Sequence, residues 1–114
     1  MGRIIVADDE QKIRKLVCDF LKREGHDPIE AEDGDEAYEL FARNSESIDL
    51  MILDIMMPGL NGWKVCKKVR NVSNVPIIIL TARSEEFDEL MGYESGADDY
   101  VTKPFSPSVL MKHV

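Results

Sequence analysis

The sequence predicts an α/β domain built on a parallel sheet with helices on both faces. Three observations carry this. Short apolar runs alternate with longer amphipathic stretches along the whole chain. Two of the runs, DLMILDI (49–55) and VPIIILTA (75–82), are apolar almost without a break, as strands buried on both faces are. No repeat, low-complexity tract or linker interrupts the alternation, and 114 residues fit one domain.

The elements follow in order. RIIVA (3–7) is a short β-branched run and predicts the first strand. EQKIRKLVCDFLKREG (10–25) is a helix, because Ile13, Leu16, Val17, Phe20 and Leu21 recur at spacings of three and four and are expected to face inward. Gly25 suits its C-terminal cap. HDPIEAE (26–32) reads as a weaker strand, which Pro28 confines to an edge or to its first residues. DGDEAYELFARN (33–44) is a second helix with Ala37, Leu40 and Phe41 inward. The run at 49–55 is the third strand, NGWKVCKKVRN (61–71) the third helix and the run at 75–82 the fourth strand. SEEFDELMGYESG (84–96) opens a fourth helix on Ser84 and closes on Gly96. DDYVTK (98–103) is the fifth strand. KPFSPSVLMKHV (103–114) turns into a fifth helix, with Ser106 as N-cap and Pro107 at the first helical position. That helix has only about two turns before Val114 and no stop signal, so residues 1–114 are expected to be a piece cut within the last helix of a longer protein.

Composition narrows the function. Forty-four per cent of the residues are apolar, enough for a core, and the net charge is −8. That charge argues against nucleic acid or an anionic membrane as a direct partner of this piece. No apolar run approaches the roughly 20 residues of a spanning helix. The opening residues MGRIIVADDE do not show the charged-then-apolar pattern of a signal peptide, so none is expected in them. They also lack a myristoylation site, since Val6 stands where Ser or Thr is needed. Cys18 and Cys66 fall inside helical patterns and read as small buried thiols. A soluble, cytoplasmic domain is expected.

Chemistry gathers at the strand ends. In an open α/β sheet, ligands bind beyond the carboxyl ends of the strands, near the point where strand order reverses. The first strand ends in Asp8, Asp9 and Glu10, the third in Asp54, the fourth in Thr81 and Ala82, and the fifth in Thr102 and Lys103. Each has an ordinary use when taken singly. Asp8 or Asp9 could cap the first helix, Asp54 could form an Asx-turn into PGLNG, Thr81 could be a plain strand residue, and Lys103 a surface lysine. Tyr100 could simply pack in the core. Their joint placement at successive strand ends points elsewhere. Three carboxylates brought together repel one another, and a divalent cation relieves this. Oxygen ligands with no His or Cys nearby suit Mg2+, or Mn2+ in its place. Carboxylate, metal, hydroxyl and lysine together resemble a phosphoryl-transfer site, in which an aspartate can be the nucleophile.

These residues stand in four motifs: VADDE (6–10), LDIMMPGLNG (53–62), LTAR (80–83) and GADDYVTKPF (96–105). In order and wording they closely resemble the receiver (response-regulator) domains of two-component signalling, from residue 3 to the end. The resemblance implies a flavodoxin-like, CheY-like fold: a doubly wound five-stranded parallel sheet of order 2-1-3-4-5 with five helices. It implies that Asp54 accepts a phosphoryl group from a sensor histidine kinase. Asp9, Asp54 and the carbonyl of Met56 would ligate Mg2+, with Asp8 acting through water. Thr81 and Lys103 would contact the phosphoryl group, Tyr100 would change rotamer with Thr81, and the Lys103–Pro104 bond would be cis.

The wording GADDYVTKPFSP and MMPGLNG is most similar to the OmpR/PhoB-type subfamily. Those proteins carry a C-terminal winged-helix DNA-binding domain and dimerise through the face of helix four, strand five and helix five. The chain departs from that pattern at Glu89, Val109 and His113, where the subfamily has a basic residue, an acidic residue and an arginine. The usual cross-interface ion pairs are therefore altered. Met56, two residues after Asp54, cannot orient an attacking water, so a long-lived phosphoryl state is expected. The same residue argues against an aspartyl-phosphate phosphohydrolase, which needs an aspartate there. No Gly-rich loop follows the first strand, which argues against a nucleotide or flavin carrier. A stand-alone receiver without a DNA-binding domain is the alternative that remains open.

Overall fold

In the computed structural model, residues 2–54, 62–81 and 99–102 are described. They form β1 (Arg3–Ala7), α1 (Gln11–Arg23), β2 (Asp27–Ala31), α2 (Gly34–Arg43), β3 (Leu50–Asp54), α3 (Gly62–Arg70), β4 (Ile77–Thr81) and β5 (Asp99–Thr102). All five strands are parallel, in the order β2-β1-β3-β4-β5. The helices expected over 84–96 and 103–114 lie outside the described residues.

The order explains Pro28. Lacking an N–H, proline suits an edge strand, and β2 is an edge, with Pro28 opposite Ile4. The central strands β1 and β3 are buried along almost their whole length and alternate between two cores. Ile5, Ala7, Met51, Leu53, Ile77 and Ile79 pack with Ala37 and Phe41 of α2 and Val65, Cys66 and Val69 of α3. Ile4, Val6, Leu50, Ile52, Ile78 and Leu80 pack with Val17, Cys18 and Leu21 of α1. The period-two alternation of the pleat thus divides one apolar run between two opposite layers.

Local signals close the helices. Gly25, at φ +87°, takes the left-handed conformation that ends α1. The His26 N–H reaches the Leu21 carbonyl at 2.9 Å and the Gly25 N–H reaches Lys22 at 3.1 Å, satisfying carbonyls the helix leaves open. The Asp33 side chain accepts the Glu36 N–H at 2.8 Å and caps α2.

The inward face of α1 differs from the expected one. Val17 and Leu21 are buried, but Leu16 is 43% exposed. The buried stripe is Arg14, Val17, Cys18 and Leu21, spaced i, i+3, i+4, i+7. The five apolar residues of α1 span a wider arc than the sheet covers, and Leu16 lies on the side turned away. Both cysteines are buried and neither forms a disulfide. Burial, reinforced by the charge of Glu30, pushes the Cys18 thiol up to about 11.

Candidate functional site

Strand register builds the site. Ala7 lies opposite Leu53 in the β1–β3 pair, so the next residues, Asp8 and Asp54, stand level at the carboxyl edge of the sheet. This is the switch point, since β1 has β2 on one side and β3 on the other. One carboxylate oxygen from each of Asp8, Asp9 and Asp54 lies within 4.8 Å of the others. Asp8 and Asp54 are buried, at 0% and 3% exposure, while Asp9 is exposed.

Asp8 is fixed at three atoms. Its N–H donates to the Ala31 carbonyl at 3.2 Å, its Oδ1 accepts the Glu10 N–H at 2.9 Å, and its carbonyl accepts from Arg14 Nη1 at 2.7 Å. The first of these ties the loop to the end of β2. The second resolves the capping question: the N-cap of α1 is Glu10, with no side-chain cap, and Asp8 serves the amide of that residue instead of capping the helix itself. Arg14 is a residue of this neighbourhood that the sequence reading missed. Only 7% exposed, it also bonds Glu30 through Nε at 2.9 Å and lies 4.0 Å from Glu32. Its signal was present: it is the first position of the stripe completed by Val17, Cys18 and Leu21.

On the other side of β3, Asp54 lies opposite Leu80, so the backbone of Thr81 continues to the same edge, where it pairs with Thr102. Tyr100 lies in β5 opposite Ile79. Met56, Lys103 and Pro104 lie outside the described residues. The structure therefore brings together Asp8, Asp9 and Asp54 and places the backbone of Thr81 at their edge.

Three carboxylates side by side repel one another, the more so with two of them buried. The donor set contains oxygen alone, which fits a hard divalent cation such as Mg2+ or Mn2+ and not a thiolate- or imidazole-seeking metal.

The geometry agrees with what the chain is similar to. Residues 4–114 match the response regulator receiver domain. The transcriptional regulatory protein ResD of Bacillus subtilis is 46% identical over 113 residues, covering 98% of this chain and 46% of that protein. The alkaline phosphatase synthesis transcriptional regulatory protein PhoP of the same organism is 50% identical over 106 residues, covering 92% of this chain and 43% of that protein. Among solved structures, the Francisella response regulator 1452 receiver domain superposes with a TM-score of 0.92 at 37% identity, covering 99% of this chain and 93% of that one. The BeF3-activated N-terminal receiver domain of Klebsiella pneumoniae RstA gives 0.90 at 32% identity, covering 98% and 94%. The chain belongs to the response regulator receiver domains, signalling proteins that histidine kinases phosphorylate and that generally bind Mg2+ at an acidic pocket. It spans less than half the length of the curated relatives it matches.

Proposed function

We propose that Asp54 accepts a phosphoryl group from a sensor histidine kinase. The observation that supports this best is that Asp54 ends a buried strand inside a three-carboxylate cluster at the switch point of the sheet. A carboxylate oxygen of Asp54 attacks the phosphorus of a phosphohistidine. The P–N bond breaks, its electron pair stays on the imidazole nitrogen, and an acyl phosphate forms. Asp9, Asp54 and the Met56 carbonyl would hold Mg2+, with Asp8 acting through water. The bound ion supplies positive charge beside the transferring oxygens. In this sense the domain assists its own phosphorylation and dephosphorylation.

Rigid presentation is the contribution of the fold. Asp54 is the last residue of β3, and Leu53 and Ile52 beneath it are fully buried, so the nucleophile has little freedom to lose. The Thr81 hydroxyl donates to the phosphoryl group and the Lys103 ammonium neutralises it. As Thr81 moves inward, Tyr100 takes the space it leaves, and the face of helix four, strand five and helix five changes with it. A partner that prefers the changed face favours phosphorylation in return. The Lys103–Pro104 bond is cis in this reading, and Met56 leaves hydrolytic water unoriented, so the phosphoryl state is long-lived. The output is regulation of transcription in the cytoplasm, through a C-terminal DNA-binding domain of a longer protein, with homodimerisation through that same face. The relatives' names support the regulation of transcription, and the likeness of motif supports the DNA-binding domain and the dimer face, although Glu89, Val109 and His113 alter its usual ion pairs.

Intact mass after incubation with acetyl phosphate and Mg2+ tests the core of the reading. The expected result is a base-labile gain of one phosphoryl group that disappears in Asp54→Ala and when Mg2+ is withheld. A gain that persists in Asp54→Ala would move the acceptor elsewhere.

A further inference from the structure

We infer that Arg14 is a positioning residue for the metal pocket, acting through the backbone of Asp8; this rests on the Mg2+ reading above. Arg14 stands in α1 as the first member of its buried stripe, beneath a loop that carries two of the three clustered carboxylates. An arginine at 7% exposure must have its charge and donors met. Glu30 meets Nε at 2.9 Å and Glu32 lies 4.0 Å from Nη2, so neither acid uses Nη1. Nη1 is then directed at the Asp8 carbonyl, 2.7 Å away, a short charge-assisted bond.

The consequence lies in where that carbonyl sits. It belongs to the peptide that joins Asp8 to Asp9. With the Asp8 N–H bound to Ala31 and Asp8 Oδ1 bound to the Glu10 N–H, the Arg14 contact fixes the third side of the residue. The turn from β1 into α1 is then held in one orientation, and both carboxylates stay directed toward Asp54. The guanidinium thus ties helix α1, edge strand β2 and the pocket into one unit, although it ligates nothing itself. Its planar fork allows this, because it serves Glu30 and the Asp8 carbonyl together, which an ammonium cannot do in the same geometry.

The sign of one measurement separates positioning from plain electrostatics. Arg14→Met removes a positive charge close to a cation site. If charge alone mattered, Mg2+ would bind more tightly. If Arg14 positions the carboxylates, Mg2+ binds more weakly. About a tenfold rise in the dissociation constant is expected, the lower end of what losing an outer-shell partner costs. The experiment is a Mg2+ titration by calorimetry, run well below the melting temperature of each variant and independent of phosphorylation. Arg14→Lys should fall between Arg14→Met and wild type, and it stands in for Arg14→Met should that variant not fold. An unchanged or tighter dissociation constant in the Arg14 variant, with wild type binding normally, overturns the inference alone. No Mg2+ binding by wild type overturns the metal reading itself.

Discussion

The two ends of the sheet treat their carboxylates in opposite ways. At the amino end, acidic groups are matched to donors within the chain. Asp49 accepts the Arg3 N–H at 2.9 Å, Asp27 faces the Arg3 guanidinium at 3.4 Å, and the Arg3 carbonyl receives the Asp49 N–H at 2.9 Å. His26 Nδ1 accepts the Gly2 N–H at 3.1 Å on the same edge. At the carboxyl end, Asp8, Asp9 and Asp54 are drawn to within 4.8 Å of one another, two of them buried. The first arrangement joins β1 to its neighbours. The second sets like charges against each other, even though Asp8 Oδ1 also accepts the Glu10 N–H, and its donor set fits the cation site proposed above.

The largest effect should come from the metal itself. At a Mg2+ concentration about 100 times its dissociation constant, unfolding free energy should rise by about 2.7 kcal/mol in wild type. Asp9→Asn should lose most of that gain, while Asp49→Ala should keep all of it. Denaturant melts with and without Mg2+ measure this, and a gain equal in Asp9→Asn and wild type would dissolve the contrast between the two ends.

Next in size is a difference of sign without metal. Unit charges about 5 Å apart repel by roughly 3 kcal/mol at an effective dielectric of 20. Part of that relief is offset by weaker hydrogen bonding of the amide, so Asp54→Asn should raise stability in EDTA by about 1–2 kcal/mol. Asp49→Ala, which removes an acceptor from a strand amide, should lower it by about 0.5–1 kcal/mol. Two shifts of the same sign would mean that the carboxyl-end cluster is held by the chain as firmly as the amino end.

The smallest effect belongs to neither end and isolates them on the alkaline side. The Cys18 thiol, raised from 9.0 to about 11, stays protonated in the folded chain after it has ionised in the unfolded one. A group raised on folding contributes stability that is complete below its unfolded value and fades as pH climbs to its folded value. Stability should therefore fall between about pH 9 and 11, by about 1 kcal/mol at the midpoint. Cys18→Ala should flatten that slope relative to wild type, whatever its own cavity costs. A slope that survives the substitution would assign the alkaline loss to other groups.

Much of the fold was legible because its signals are local. Gly25 at the end of α1, the unbroken apolar runs of β3 and β4, and Pro28 on an edge strand each follow from the needs of one short segment. The direction of α1 was less legible. Leu16 and Arg14 show why: helical spacing defines an arc of apolar residues, but which part of the arc meets the sheet depends on how the helix is laid down. A buried arginine is invisible to a hydrophobic count, because its burial is made tolerable by Glu30, 16 residues away in another strand.

Sequence alone determined the alternation of strands and helices over the described residues, the glycine that ends α1, and the appearance of an aspartate where β1 and β3 run out of apolar residues. Those are properties of neighbouring residues, fixed by side-chain size, polarity and backbone freedom. Only the tertiary structure decided that Ala7 stands opposite Leu53, which makes Asp8 and Asp54 neighbours. Only it decided that Arg14 turns beneath the Asp8 carbonyl. Register and burial are set by packing of the whole sheet between its two cores, and no segment carries that information by itself.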